Sequence, residues 1–207
     1  NMTYYNNYSY QYIIYFMSKL LNCLIHKDNS CVPVWFMRQA GRYLPEFREL
    51  RSQNQNFLKL CFNSDLATEI TLHPMKRFNL DAAIIFSDIL VIPYALGQQI
   101  EFRDKGGPWN SNFNINKFLE TTEEEFLKTL NPVYKAIRKT RNTLKKDKSL
   151  IAFIGAPWTI IIYLYNLKKQ QGYDKKITLN NKEEIKLVLK KLDEFLKLHI
   201  IKQKEAG

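Results

Sequence analysis

Residues Asp81 to Pro93 read DAAIIFSDILVIP, and this stretch decides the fold. Ala82 to Phe86 form a short apolar run with no polar residue on either alternate face. Such a run suits a strand buried on both sides, the pattern of a parallel sheet. Ser87-Asp88 follows at its carboxyl end, before a second apolar run from Ile89 to Pro93. A carboxylate between two apolar segments is costly to bury without dedicated donors. Two readings are open for Asp88. It caps a turn or helix, or it is a functional anion at the carboxyl end of a parallel strand, where open α/β and barrel enzymes place their chemistry.

Working outward, Leu150 to Ile154 predict the next buried strand, which ends in Gly155-Ala156-Pro157-Trp158-Thr159. Small residues there let the backbone approach a ligand closely. Pro157 and Trp158 suit the first turn of a helix carrying Tyr163, a residue that fits either plain core packing or a site. Between the strands, residues 97–114 predict a loop or short hairpin, and Gly106-Gly107 lacks the spacing of a phosphate loop. Thr122 to Glu125 open a helix in capping-box style, and Asn131-Pro132 predict the start of another. Before the first strand, Ser64 to Phe78 predict a helix capped by Ser64 or Asp65 and kinked or restarted at Pro74, with His73 as a structural partner. Asn181 to Lys204 place Ile185, Val188, Leu189, Leu192, Phe195, Leu196 and Ile200 at helical spacing, with lysines opposite. Strands alternating with helices imply a parallel sheet joined by right-handed crossovers.

Upstream, Pro33 to Arg51 (PVWFMRQAGRYLPEFRELR) concentrate Arg38, Arg42, Arg48 and Arg51 among Trp35, Phe36, Met37, Tyr43 and Phe47. Guanidinium groups stay ionised and present planar donor forks that match carboxylates. The segment reads as a clamp for a ligand with many negative charges, or as a loop of snorkelling surface arginines.

The formal charge of +11 attracts anions in general, so nucleic acid, an acidic membrane surface and a polycarboxylate all remain possible on charge alone. The scattered lysine pairs (Lys145-Lys146, Lys168-Lys169, Lys190-Lys191) fit solvated helix faces, and no aromatic stacking motif supports a nucleic-acid module. Cys23, Cys31 and Cys61 lack CxxC spacing, which disfavours a disulfide framework and fits a reducing cytosol. His26, His73 and His199 share no ligand spacing with them, so no metal site is expected. The Asn- and Tyr-rich start, residues 1–16, lacks the basic onset of a signal peptide, and no apolar run is long enough to span a membrane. Met17 is the expected true start.

Three stretches together closely resemble the uroporphyrinogen decarboxylase family. They are Met37 to Arg48 (MRQAGRYLPEFR), Asp81 to Pro93, and Gly155 to Thr159 followed by Tyr163, in the family's order and spacing. The resemblance runs from about Val32 to Gly207. It implies an α/β fold, an incomplete (β/α)8 TIM barrel holding the amino-terminal segment and the first two barrel strands with their helices. Residues 1–22 are then an extension, and residues 23–207 the amino-terminal part of the barrel domain. The chain stops where the family continues into its third strand, so a truncated product is expected, with an unpaired sheet edge and apolar surface.

The resemblance also implies cofactor-free removal of the four acetate carboxyls of uroporphyrinogen III to give coproporphyrinogen III, in haem biosynthesis. The catalytic residues it implies are Asp88, Arg38 and Tyr163. The substrate-binding residues it implies are Arg38, Gln39, Ala40, Gly41, Arg42, Arg51, Asp88 and Tyr163, with no metal. In the family the residue matching Asp88 accepts from the pyrrole N–H groups, and the one matching Tyr163 contacts substrate and that carboxylate. Arg38 is the candidate proton relay. The family is a cytosolic homodimer with facing clefts, and binds neither nucleic acid nor membrane. Two departures stand out. Tyr165-Asn166-Leu167 replace an acidic-glycine pair, and the later Ser and His of the family cleft are absent. The alternatives are an inactive fragment of that enzyme, or a related zinc-dependent methyltransferase.

Overall fold

A computed structural model describes residues 17–28, 30–103, 107–110, 112–165, 167 and 182–207. Expectations for residues 1–16, for Gly106, for Asn166 and for the Lys168-Lys169 pair lie outside the described residues. In chain order the first elements are helices α1 (Lys19–His26), α2 (Pro45–Gln53), α3 (Phe57–Cys61) and α4 (Ser64–Arg77). Strand β1 (Ala82–Ile84), helix α5 (Val91–Ala95) and strands β2 (Ile100–Arg103) and β3 (Gly107–Asn110) follow. Then come α6 (Ile115–Glu120), α7 (Glu123–Thr143), β4 (Ser149–Ile151), α8 (Pro157–Leu164) and α9 (Lys182–Ala206).

β1 and β4 pair in parallel, with Ala82 opposite Ser149 and Ile84 opposite Ile151. Parallel neighbours need a crossover, supplied here by everything from α5 to α7. The expected hairpin forms within that crossover, with Ile100 opposite Asn110 and Arg103 opposite Gly107. The second apolar run does not extend the strand. After Asp88 the chain turns, and Val91 to Ala95 form α5 with Val91, Ile92, Pro93 and Ala95 buried. Residues 19–22, set apart in the sequence reading, form the first half of α1. Ser18 caps that helix and hydrogen-bonds the Ser149 hydroxyl of β4.

Two helix expectations need correction. α4 is capped by Asn63, whose Oδ1 accepts from the N–H groups of Asp65 and Leu66 at 3.1 Å. Ser64 and Asp65 are instead engaged by Lys139 at 3.0 and 2.6 Å, which ties α4 to α7. Pro74 is taken inside α4, which runs on to Arg77. Likewise Asn131-Pro132 open no new helix, and α7 runs unbroken through Pro132 from its Thr122–Glu125 capping box. Phe126, Leu130, Val133, Ile137 and Thr140 keep one buried face across the proline. Burying that face outweighs the one backbone hydrogen bond that proline removes.

α7 lies between α4, α5 and α9. On α9 the buried face is Ile185, Val188, Leu192, Phe195, Leu196, His199, Gln203 and Ala206, while Leu189 is half-buried. Ile200, expected on that stripe, is half exposed. The steps of three and four that run from Ile185 through Leu192 and Phe195 reach His199 instead, one residue earlier. His199 Nδ1 lies 2.9 Å from the Tyr134 hydroxyl of α7, and both rings pack beside the same apolar core. Burial lowers the pKa of His199 from 6.5 to about 4.

A histidine held neutral in the folded state contributes its full stability above its unfolded pKa and loses it as the unfolded chain takes up the proton. Stability should therefore fall by up to about 3 kcal/mol as pH drops from 6.5 to about 4, read as the urea midpoint. His199→Gln should flatten that part of the profile, and an unchanged slope would show that another group sets it.

Candidate active site

The site grows from the carboxyl end of β1. Residues 81, 83 and 85 of this segment face β4, where Ser149 N donates to Asp81 O and Ile85 N to Ile151 O. Residues 82, 84 and 86 face the other way, and their backbone groups meet side chains. Gln39 Nε2 donates to Ala82 O at 2.6 Å, and Ile84 N donates to Gln39 Oε1 at 3.1 Å. Phe86 N donates to Thr71 Oγ1 of α4 at 2.8 Å. Two residues on, Asp88 is half-buried and takes the Leu90 N–H on Oδ1 at 2.8 Å, while its carbonyl receives Val91 N. Asp88 therefore caps the turn into α5 and also stands at a strand tip. The turn-cap reading of Asp88 holds, at the strand-tip position that the other reading requires. The enclosed space beside it, shared with His199, Gln203 and Phe153, measures about 10 Å³. That is about one water in size, so a larger ligand must approach from the open side.

The arginine segment is tied to the amino end of the same strand. Asp81 N donates to Val34 O and Val34 N to Asp81 Oδ2, at 2.8 and 2.9 Å. Lys19 and Lys148 reach the other Asp81 oxygen at 3.2 and 3.7 Å. Burial pushes the Asp81 carboxyl up, but the Val34 N–H and the two lysines outweigh it and hold it below its usual value. Leu44 and Phe47 bury against Leu60 and Ile70. Arg48 Nη1 donates to the carbonyls of Arg42 and Tyr43, so this arginine closes the turn that precedes α2. Glu46 pairs with Arg77 at 2.6 Å, joining α2 to α4.

Arg38 and Arg42 are exposed, Arg51 and Tyr163 are half-buried, and so are Ala40 and Gly41. Gln39 is 2 % exposed, and its carboxamide is committed to β1. Arg38 borders a groove of about 530 Å³ whose other walls are Phe36, Met37, Gln39, Tyr43, Phe78 and Leu80. Arg51 belongs to a different neighbourhood. Its guanidinium sits 5.8 Å from the Phe57 ring centre, and Phe57 meets Phe86 at 5.4 Å. Burial pushes the pKa of the Cys61 thiol up, the Asp88 carboxylate adds to that, and Arg51 opposes it. From the β4 side, a Cβ on Gly155 would sit 3.2 Å from Ile89 Cβ, so this glycine brings the loop before α8 against the residue next to Asp88. That same Cβ would lie 2.5 Å from Ile160 Cδ1, so the small residue is needed for packing. Tyr163 packs at the edge of the core on α8.

Sequence reasoning missed Asp81 and the His199–Tyr134 pair as polar anchors, and the commitment of the Gln39 side chain. Asp81 was readable as an acid opening an apolar strand, but its partners lie 47, 62 and 67 residues away and no local pattern joins them. Among the described residues no group of three or more His, Cys, Asp or Glu side chains is placed to hold a metal ion, and no helix is long and apolar enough to cross a membrane.

A parallel strand pair with a helical crossover, a carboxylate at the strand tip and an arginine segment tied to the same strand define an α/β unit. Its likeness to known proteins is specific. The uroporphyrinogen decarboxylase (URO-D) family model matches residues 16–207, and the chain belongs to that family. Uroporphyrinogen decarboxylase of Rickettsia canadensis is 43% identical over 194 residues, covering 92% of this chain and 57% of the relative. That of Rickettsia felis is 39% identical over 193 residues, covering 92% and 56%. The chain thus spans little more than half the length of these curated relatives. A methyltransferase from Methanosarcina mazei shares the fold, with a TM-score of 0.69 at 19% identity, covering 91% of this chain and 55% of that one.

Asp81→Asn keeps an acceptor for Val34 N but loses both lysine contacts. It is expected to cost about 1–2 kcal/mol in chemical denaturation, and a wild-type midpoint would mean that the lysines contribute nothing.

Proposed function

We propose that this chain is the amino-terminal, substrate-holding part of a uroporphyrinogen decarboxylase, organised as the first two strands of a (β/α)8 barrel. The observation that carries the reading is the family match over residues 16–207, together with an arginine segment and a strand-tip carboxylate fastened to one strand. The substrate is uroporphyrinogen, a flexible macrocycle with eight carboxylates. Arg38 and Arg42 are exposed beside Phe36, Met37 and Tyr43, a surface that offers donor forks and apolar contact together. They hold acetate or propionate groups. Arg51 and Tyr163 position the ring.

The reaction needs no cofactor, because a protonated pyrrole accepts the electron pair. A proton adds to the ring carbon bearing the acetate, and the ring becomes cationic. The bond to the carboxylate then breaks, carbon dioxide leaves, and a second proton is taken by the exocyclic carbon as the ring carbon gives up its own. Each acetate thus becomes a methyl group at the net expense of one proton. Asp88, a fixed anion partly shielded from water, stabilises the cation. Arg38, exposed to solvent, is the residue we assign to relay a proton, a role that needs water molecules, since a guanidinium is a weak acid. The three free thiols fit a reducing cytosol.

A second reading is a fragment that binds without turnover. It is favoured by the 57% span of the relative and by the exposure of Val32, Phe36 and Met37 at 82%, 60% and 70%. Incubating the 207-residue chain with uroporphyrinogen III, then oxidising and separating porphyrins, distinguishes the two. Coproporphyrin supports the enzyme. Tight binding of uroporphyrin III without product supports the fragment. Arg38→Ala with Arg42→Ala should weaken that binding at least about tenfold, and Asp88→Ala should lower any turnover by about a hundredfold or more. Binding no tighter than that of a lysine-rich control protein defeats both readings, and stoichiometric zinc after purification would point to the methyltransferase class.

A further inference from the structure

We propose that Gln39 is a positioning residue. Its carboxamide stands in for a neighbouring strand on the outer edge of β1, and so fixes Arg38 and Arg42 relative to Asp88. The proposal rests on the reading of the chain as part of a uroporphyrinogen decarboxylase. A parallel strand accepts and donates through alternate residues on each edge, and Ala82 and Ile84 offer an acceptor and a donor on the edge away from β4. A primary carboxamide carries one donor side and one acceptor side, the complement of that pair. Gln39 makes both bonds, at 2.6 and 3.1 Å, in a site where it is 2 % exposed. It thereby leaves its own side chain unable to reach a ligand. Its backbone is held as well, because the Tyr43 hydroxyl donates to the Gln39 carbonyl.

What this adds to the Val34–Asp81 contacts is a second tie between the two segments, placed beside the arginines and nearer the strand tip. Arg38 is the adjacent residue, Arg42 follows three residues on, and both are exposed. From Ile84, the residue that Gln39 grips, to Asp88 is at most about 14 Å of extended chain. An unanchored loop would let the guanidinium groups wander relative to that carboxylate, and small misplacements weaken concerted recognition.

The test uses the 207-residue chain and uroporphyrin III, the stable oxidised octacarboxylate, as probe. Gln39→Met, nearly isosteric and without polar groups, should strip exchange protection from the Ile84 amide while leaving Ile85, which donates to β4, protected. It should also weaken uroporphyrin at least about fivefold. Gln39→Glu gives an internal control. Protonated, its carboxyl has one donor and one acceptor like the amide; ionised, it has acceptors only and faces the Ala82 carbonyl. Burial raises its pKa into the working range. The affinity ratio to wild type at each pH cancels the titration of every other group, the probe included. That ratio should approach one at pH about 5.5 and fall at least about fivefold by pH about 8.5. Should Gln39→Met lose Ile85 protection too, the glutamate ratio decides alone. A ratio that does not change with pH overturns the proposal. So does loss of Ile84 protection with affinity unchanged, which would leave Gln39 purely structural. If wild type does not bind uroporphyrin, the functional reading fails, and unchanged Ile84 protection in Gln39→Met would separately sink the edge contact.

Discussion

The position of β1 governs the rest, because three paired residues are too few to hold a strand by ladder bonds alone. The strand is fixed on one edge by β4 and on the other by side chains. Gln39 takes Ala82 and Ile84, and Thr71 takes Phe86. At its start Asp81 gathers Val34, Lys19 and Lys148. Val34 and Gln39 come from the arginine segment, Thr71 from α4, Lys19 from α1 and Lys148 from the approach to β4, so the strand is the place where these stretches are registered against one another. Asp88 inherits its position from that registration. The outward N–H groups of Ile84 and Phe86 are already used, so any further strand on that edge would have to displace Gln39 and Thr71.

The surface around the arginines has a double character. Trp35, Phe36, Met37 and Tyr43 are exposed next to Arg38 and Arg42, an arrangement that costs stability in water unless something apolar covers it. A polycarboxylate with an apolar framework would match that mixture, and so would further polypeptide packed on this face. The arginines of the cluster are not equivalent. Arg48 closes a turn and Arg51 leans on Phe57, half-buried, while Arg38 and Arg42 are exposed.

Much of this was legible in the letters. The apolar run after Asp81 indicated a buried parallel strand and Thr122 with Glu125 the capping box, while the partner strand, read as Leu150 to Ile154, pairs only over Ser149–Ile151. The resemblance of three stretches gave the family. The misreadings share a cause. Pro74 reads as a kink or restart and Pro132 as a helix start, yet each sits inside a continuous helix, and at Pro132 the buried face runs on past it. Ile200 reads as core by hydropathy, but the packing of α9 turns His199 inward and finds it a hydroxyl on α7. Gln39 reads as a ligand contact from its motif, while its two partners lie 43 and 45 residues downstream. Local pattern predicts elements well, and it cannot see a hydrogen bond closed across the chain.

The central claim is that the arginine segment and the tip of β1 form one surface toward a single polycarboxylate. Backbone amide shifts of the 207-residue chain during titration with uroporphyrin III test it most directly. The account predicts that Arg38 to Arg42 and Ser87 to Leu90 shift together along one saturating curve. Shifts confined to the arginine segment, or to the lysines of α9, would contradict it.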